Sequence, residues 1–296
     1  MKFVINDYSS ANQSESHYLN ATFNSIDGCS SVLWDGGQIS AFDLFDTVRP
    51  DIWITHFKYI VNDGLIYMGQ KGNNTELIIN ITGANQEEVS SLEDFIISKN
   101  VRCLFFFTNL DDNAITTKKI NIVKVQLGAD LFLLNNNRNQ LSYNVEKAIF
   151  INNKTEIKPY STTHHIISNN IEATDGADLV LTIAQLGSIY HNYSEIIFRY
   201  FDRVVPQLFY DATYAGNRVY YDIDNDEKRN YVNQKFKKIL KIENNICDPQ
   251  SLDFEYIKSC VKNKHTCLHR AKSLLSQLPA HEFIKKLEVL IDRSVV

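Results

Sequence analysis

Short runs of β-branched and aromatic residues recur along this chain with helix-period segments between them, and that alternation restricts the fold more than any other feature. Residues 2–6, 31–34, 52–55, 76–81 and 101–107 read as buried strands, whereas 15–23, 39–48 and 86–97 read as helices. The second of these helices is expected to bury Phe42, Phe45 and Val48. Strands separated by helices cannot pair as tight hairpins, so the sheet they build is parallel. Ligands of such sheets gather at the carboxyl ends of the strands, which puts Asp7, Asp35, His56 and residues 108–112 on one rim. Residues 120–125 and 131–134 read as further strands, and the polar run NNNRNQ at 135–140 marks a boundary. Beyond it, 147–152, 164–168 and 179–183 read as strands and 193–200 as a helix. Four helices follow later, at 226–241, 251–260, 264–278 and 282–291.

A chain of 296 residues is long enough for two such domains, each with its own core. With 44% hydrophobic and 22% charged residues, the composition is that of a soluble globular protein. No apolar run approaches the roughly 20 residues that span a bilayer, so a cytoplasmic location is expected. The five cysteines form no CxxC pair and leave an odd one, which suits reduced thiols. Cys260, His265, Cys267 and His269 lie close together in sequence, but their spacing is irregular and His265 and His269 lie on an amphipathic helix; packing thiols are favoured over zinc. Net charge is -5, yet residues 228–286 carry 13 Lys or Arg against 5 Asp or Glu. That basic segment suits a solvated helix or a phosphate-rich partner such as nucleic acid.

Residues 205–222, VPQLFYDATYAGNRVYYD, combine a helix, a glycine stop and a strand. Pro206 suits the first helical turn, Leu208, Phe209, Ala212 and Tyr214 can face a core, and Gln207 and Asp211 stand one turn apart. Gly216 can end the helix in the left-handed conformation before a strand at 218–221. The run LFYDATYAG resembles the donor-binding segment of GT-B glycosyltransferases, whose common form is Arg-x-Phe-Glu-Ala-x-Ala-x-Gly before a strand. His265, Thr266, Arg270 and Ala271 resemble the His-Thr-x-x-x-Arg-Ala helix of the spore-maturation-protein-like glycosyltransferases. The likeness implies two Rossmann-like domains, an acceptor-side domain at 1–140 and a donor domain at 141–296, with a cleft between them. It also implies a final helix that packs back on the first domain. Two positions depart from the pattern: Asp211 stands for the usual Glu and Leu208 for the usual Arg.

What the resemblance implies is transfer of a sugar from a nucleoside diphosphate donor, such as a UDP-sugar, to an acceptor hydroxyl. The helix start near Pro206, with Arg199 or Arg203, would hold the diphosphate, Asp211 the ribose and Gln185 the base or sugar, with Gln207 also on the donor. His56, Asp111 and Asp112 are the candidates for the base that receives the acceptor proton, although each also suits ordinary loop chemistry. The D-x-D formed by Asp222 and Asp224 reads as a helix entry, so no metal and no cofactor beyond the donor is expected. The acceptor stays open among saccharide, protein and DNA. Short length, an Asn-rich composition and the basic segment also resemble bacteriophage enzymes that glycosylate hydroxymethylated pyrimidines in DNA. A nucleotide-sugar-binding module without turnover is the rival from another class.

Overall fold

The computed structural model describes residues 1–7, 15–37, 39–60, 75–107, 115–125, 128–136, 147–151, 164–168, 179–180, 190–199, 207–222 and 254–295. The chain is α/β and divides into two compact units, one of Met1–Gln126 with Cys267–Ser294 and one of Leu127–Thr266. The division expected within 135–140 falls largely on residues outside the described set.

In the first unit six strands, β1 (Lys2–Asn6), β2 (Ser30–Trp34), β3 (Ile52–His56), β4 (Glu76–Asn80), β5 (Cys103–Phe107) and β6 (Asn121–Lys124), form one parallel sheet. Its order is β2-β1-β3-β4-β5-β6. The inner strands are buried on both faces, which is why they are continuous apolar runs with no alternation. From β1 the chain winds to β2 on one side and then to β3 on the other, so the winding reverses between β1 and β3. Asn6 and His56 stand at the carboxyl ends of those two strands.

Helices α1 (Glu15–Asn24), α2 (Ala41–Val48) and α3 (Gln86–Ser98) connect them. Ser40 caps α2 by accepting the Asp43 N–H, and Asn85 and Glu88 form a reciprocal capping box on α3. Contrary to expectation Phe42 is 51% exposed, because α2 begins at Ala41 and turns Ala41, Leu44 and Phe45 inward. Glu93 on α3 is buried, and its carboxylate accepts the N–H groups of Lys118, Lys119 and Ile120.

The second unit holds β7 (Lys147–Ile151), β8 (His164–Ser168), β9 (Leu179–Val180), β10 (Glu195–Arg199) and β11 (Arg218–Asp222), again parallel, in the order β11-β10-β7-β8-β9. Its winding reverses between β7 and β10. Helices α4 (Leu131–Asn136), α5 (Gln207–Ala215) and α6 (Phe254–Lys264) belong to it. Two expectations are corrected. Residues 131–134 are helical, because Asp130 caps the run with its side chain on the Phe132 N–H and its carbonyl on the Leu134 N–H. Glu195–Arg199 is a strand; its Ile, Ile and Phe are β-formers that pair with β7 on one side and β11 on the other. The helix expected at 226–241 lies outside the described residues.

The chain then returns to the first unit as α7 (Cys267–Leu275) and α8 (His281–Val295). Buried Arg270 on α7 donates to the Tyr18 hydroxyl on α1 and lies 4.9 Å from the centre of that ring. Tyr18 in turn donates to Glu15 at 3.0 Å, and Asn80 donates to the other Glu15 oxygen at 2.6 Å. Arg270, singled out by its motif, is thereby joined to the carboxyl end of β4. Among the described residues no helix is long and apolar enough to cross a membrane.

Candidate functional site

The stretch from α5 to β11 folds as its residues dictate. Gly216, at φ +102°, takes the left-handed backbone that stops α5, and Asn217 N–H closes the end onto the Ala212 carbonyl at 3.0 Å. The buried Asn217 side chain donates to the carbonyls of Tyr190 and Tyr193, fixing the turn against the segment that leads into β10.

Phe209, Tyr210, Ala212 and Thr213 are buried, while Tyr214 is half-exposed with the Lys262 ammonium 5.6 Å from its ring. Asp211 is the departure. Left outside the core-facing set in the sequence, it is 1% exposed, and its Oδ1 accepts the Asp130 N–H at 2.7 Å. A carboxylate inside a protein needs such donors to replace lost water, and a backbone N–H supplies one here.

Asp130 is placed by the loop before it. Ala129 N–H donates to the His265 carbonyl at 2.7 Å, and Ala129 bridges Thr266 as a one-residue parallel ladder. The ring of His265 stacks obliquely on Tyr210, centroids 5.7 Å apart. Tyr210 and Asp211 of the first stretch and His265 and Thr266 of the second therefore lie in the second unit, although about fifty residues separate them in sequence, whereas Arg270 and Ala271 belong to the first unit.

Tyr190 is a member of this surrounding that sequence reasoning missed. It is 2% exposed, its hydroxyl has no hydrogen-bond partner among the described residues, and burial, with the Asp211 charge adding to it, pushes its pKa well above the ordinary tyrosine value. Nothing in the sequence separates it from the other tyrosines, since its significance comes from a carboxylate 21 positions downstream.

Arg199 is the last residue of β10, in register with Ile151 and Asp222, at the strand end where the winding reverses. Gln207 opens α5. Asp111, Asp112, Gln185 and Arg203, like Pro206 and Asp224, lie outside the described residues.

His56 ends β3 and is 2% exposed. Its Nδ1 accepts the Lys58 N–H at 3.3 Å, which leaves Nε2 to donate to the Thr82 carbonyl at 3.2 Å. Burial lowers its pKa, more than the Thr82 contact raises it. A folded-state value below the ordinary one of about 6.5 means that His56 contributes stability above that pH, which is lost as the pH falls below it. Replacing it with Gln, which keeps a donor, is expected to flatten the melting temperature between about pH 7 and 5 relative to the parent. A parent profile already flat across that window would dismiss this account.

Among the described residues, no three His, Cys, Asp or Glu side chains gather as metal ligands. Cys29, Cys103, Cys260 and Cys267 are free thiols. No protein-family model matches the chain, and no curated protein matches it either. Among solved structures, the fold is similar to that of a protein from Listeria monocytogenes described as a UDP-N-acetylglucosamine 2-epimerase. Identity is 6% and the TM-score 0.41, over 94% of this chain and 98% of that one.

Proposed function

We propose that the protein is a glycosyltransferase that takes a sugar from a nucleoside diphosphate donor, with the donor held by the second unit. The observation that carries this reading is Asp211: a buried carboxylate on the second turn of α5, beside the His265–Thr266 segment, where the resemblance implies a ribose-binding acid. Its Oδ1 accepts the Asp130 N–H, and ribose hydroxyls, which donate to a carboxylate, are the ligand that the resemblance implies for it.

The connection from β10 leads into α5, whose amino end therefore faces the carboxyl edge of the sheet at its reversal point. That end and the guanidinium of Arg199, or of Arg203, meet the diphosphate and stabilise the charge that grows on it as the glycosidic bond breaks. Gln207 and Gln185 complete the donor side. Both ring nitrogens of His56 serve the backbone, so we assign the acceptor proton to Asp111 or Asp112. No metal takes part, and activity is expected to survive chelation.

A panel of nucleotide sugars screened by thermal shift tests this. A donor at a hundred times its dissociation constant adds about 2.7 kcal/mol. Asp211→Ala is expected to erase the shift, whereas Asp211→Asn, whose carbonyl still accepts the Asp130 N–H, keeps the fold and weakens the shift. Release of free nucleoside diphosphate separates transfer from mere binding. An unchanged shift in Asp211→Ala removes the donor site from α5, and a shift without release on prolonged incubation with varied acceptors makes the protein a binding module.

A further inference from the structure

A groove of about 620 Å³ lies in the first unit between the 3-10 turn Phe57–Tyr59, which follows β3, and the start of α3. Its floor is apolar: Phe57, Ile60, Leu92 and Phe95 are half-buried and packed on the core, leaving part of each to the groove. Its rim carries Lys58, Glu87 and Ser91. The position is the carboxyl edge of the sheet beside the point where its winding reverses, and the volume is that of a small-molecule site.

The rim groups have hydrogen-bonding capacity to spare. Among the described residues, Glu87 and Ser91 make no side-chain hydrogen bond or ion pair, and the Lys58 ammonium only overlies the Phe57 ring at 5.7 Å. Asn85 and Glu88 are committed to the capping box, and Glu87 and Glu88 already face the positive end of α3, so the helix start is not an anion site here.

We infer that this groove binds the acceptor and that the acceptor is a neutral saccharide. The inference rests on the glycosyltransferase reading for the word acceptor, but not for the binding. A pyranose has one face of C–H groups, which rests on the electron-rich face of an aromatic ring such as Phe57 or Phe95. Its edge hydroxyls donate to a carboxylate such as Glu87 and accept from Lys58 and Ser91. A nucleic acid fits poorly, since residues 1–126 carry 15 Asp or Glu against 9 Lys or Arg and the groove itself presents Glu87 and Glu88.

The test uses the full chain and saturation-transfer NMR with 4-nitrophenyl glycosides and unsubstituted oligosaccharides of glucose, galactose and N-acetylglucosamine. Saccharide signals are expected in the absence of any donor. Ser91→Trp, which fills the groove from an exposed position, is expected to abolish them, and Glu87→Ala to weaken binding about tenfold. Both variants should melt as the parent does. Absence of signal across the panel, or a signal that survives both substitutions, overturns the assignment, as does a hydroxymethylated duplex whose binding Ser91→Trp abolishes. Saccharide binding without any nucleotide-sugar shift leaves the groove standing and removes the glycosyltransferase reading; a nucleotide-sugar shift without saccharide binding does the reverse.

Discussion

Gly128→Ala is expected to destabilise the second unit by about 3–5 kcal/mol and to weaken nucleotide-sugar binding at the same time. A methyl group on Gly128 would stand 2.6 Å from the His265 carbonyl carbon, 2.7 Å from its oxygen and 2.8 Å from the Thr266 nitrogen. All three are backbone atoms, so no side chain can swing away, and one of the two strands of chain must move. Movement breaks the 2.7 Å bond from Ala129 to His265 and the bridge to Thr266, and both groups are buried. Asp130 follows at the next peptide but one, and the Asp211 carboxylate then loses its backbone donor. Each interior bond lost without water to replace it costs on the order of 1–3 kcal/mol, in addition to the overpacking. Denaturant unfolding of the parent and the variant measures the loss, and Ser at the same position should be no better. A variant as stable as the parent would show that residues 128–130 do not approach His265 this closely.

The first sheet was legible because both of its faces are covered, and a strand covered on both faces must be apolar without interruption. Residues 2–6, 76–81 and 101–107 say so directly, and the strands lie there. Short apolar runs within 131–134 and 195–199, four residues in the first and three in the second, carry no such certainty, since they suit a strand or a buried helix turn equally. Asp130 decided the first by capping it, and pairing to β7 and β11 decided the second. Misreading 193–200 hid the fact that Arg199 ends a strand at the reversal of winding, which is the strongest topological reason for its interest.

The α5–Gly216–β11 order was visible because glycine and proline punctuate chains locally. Burial of Asp211 was not visible. A carboxylate on a helix reads as exposed, and one donor that serves it inside is a backbone N–H 81 positions away, a group that every residue but proline possesses. The groove floor was hidden for a related reason. Phe57, Leu92 and Phe95 have the spacing of ordinary core positions, and only the packing shows that they are half-covered.

Glu93 is a second acid whose position the sequence conceals, and its removal is expected to have an effect of the same size in the first unit. It is 2% exposed and its two oxygens accept four contacts, from Lys118 N at 3.0 Å to each oxygen, from Lys119 N at 2.6 Å and from Ile120 N at 2.9 Å. Those three successive amides form the turn that leads into β6, so one carboxylate substitutes for the hydrogen bonds that the turn cannot make within itself. Glu93→Ala strands three donors at once and is expected to cost about 3–5 kcal/mol, or on the order of 10 °C in melting temperature. Glu93→Gln keeps a carbonyl acceptor for part of the set and should lose roughly half as much. The pH dependence separates charge from shape. Burial pushes the Glu93 pKa up, but the three amides, with the Lys118 charge, more than offset it and leave the pKa below the usual glutamate value. A folded-state pKa below the unfolded one means that this stability is present above about pH 4.3 and is lost as the pH falls through the folded value. The parent should therefore lose its margin over Glu93→Gln as the medium is acidified below about pH 4. If the difference between the two unfolding free energies stays constant from pH 7 to pH 3, the carboxylate charge does not hold the turn, and the amides of Lys118, Lys119 and Ile120 must be satisfied in another way.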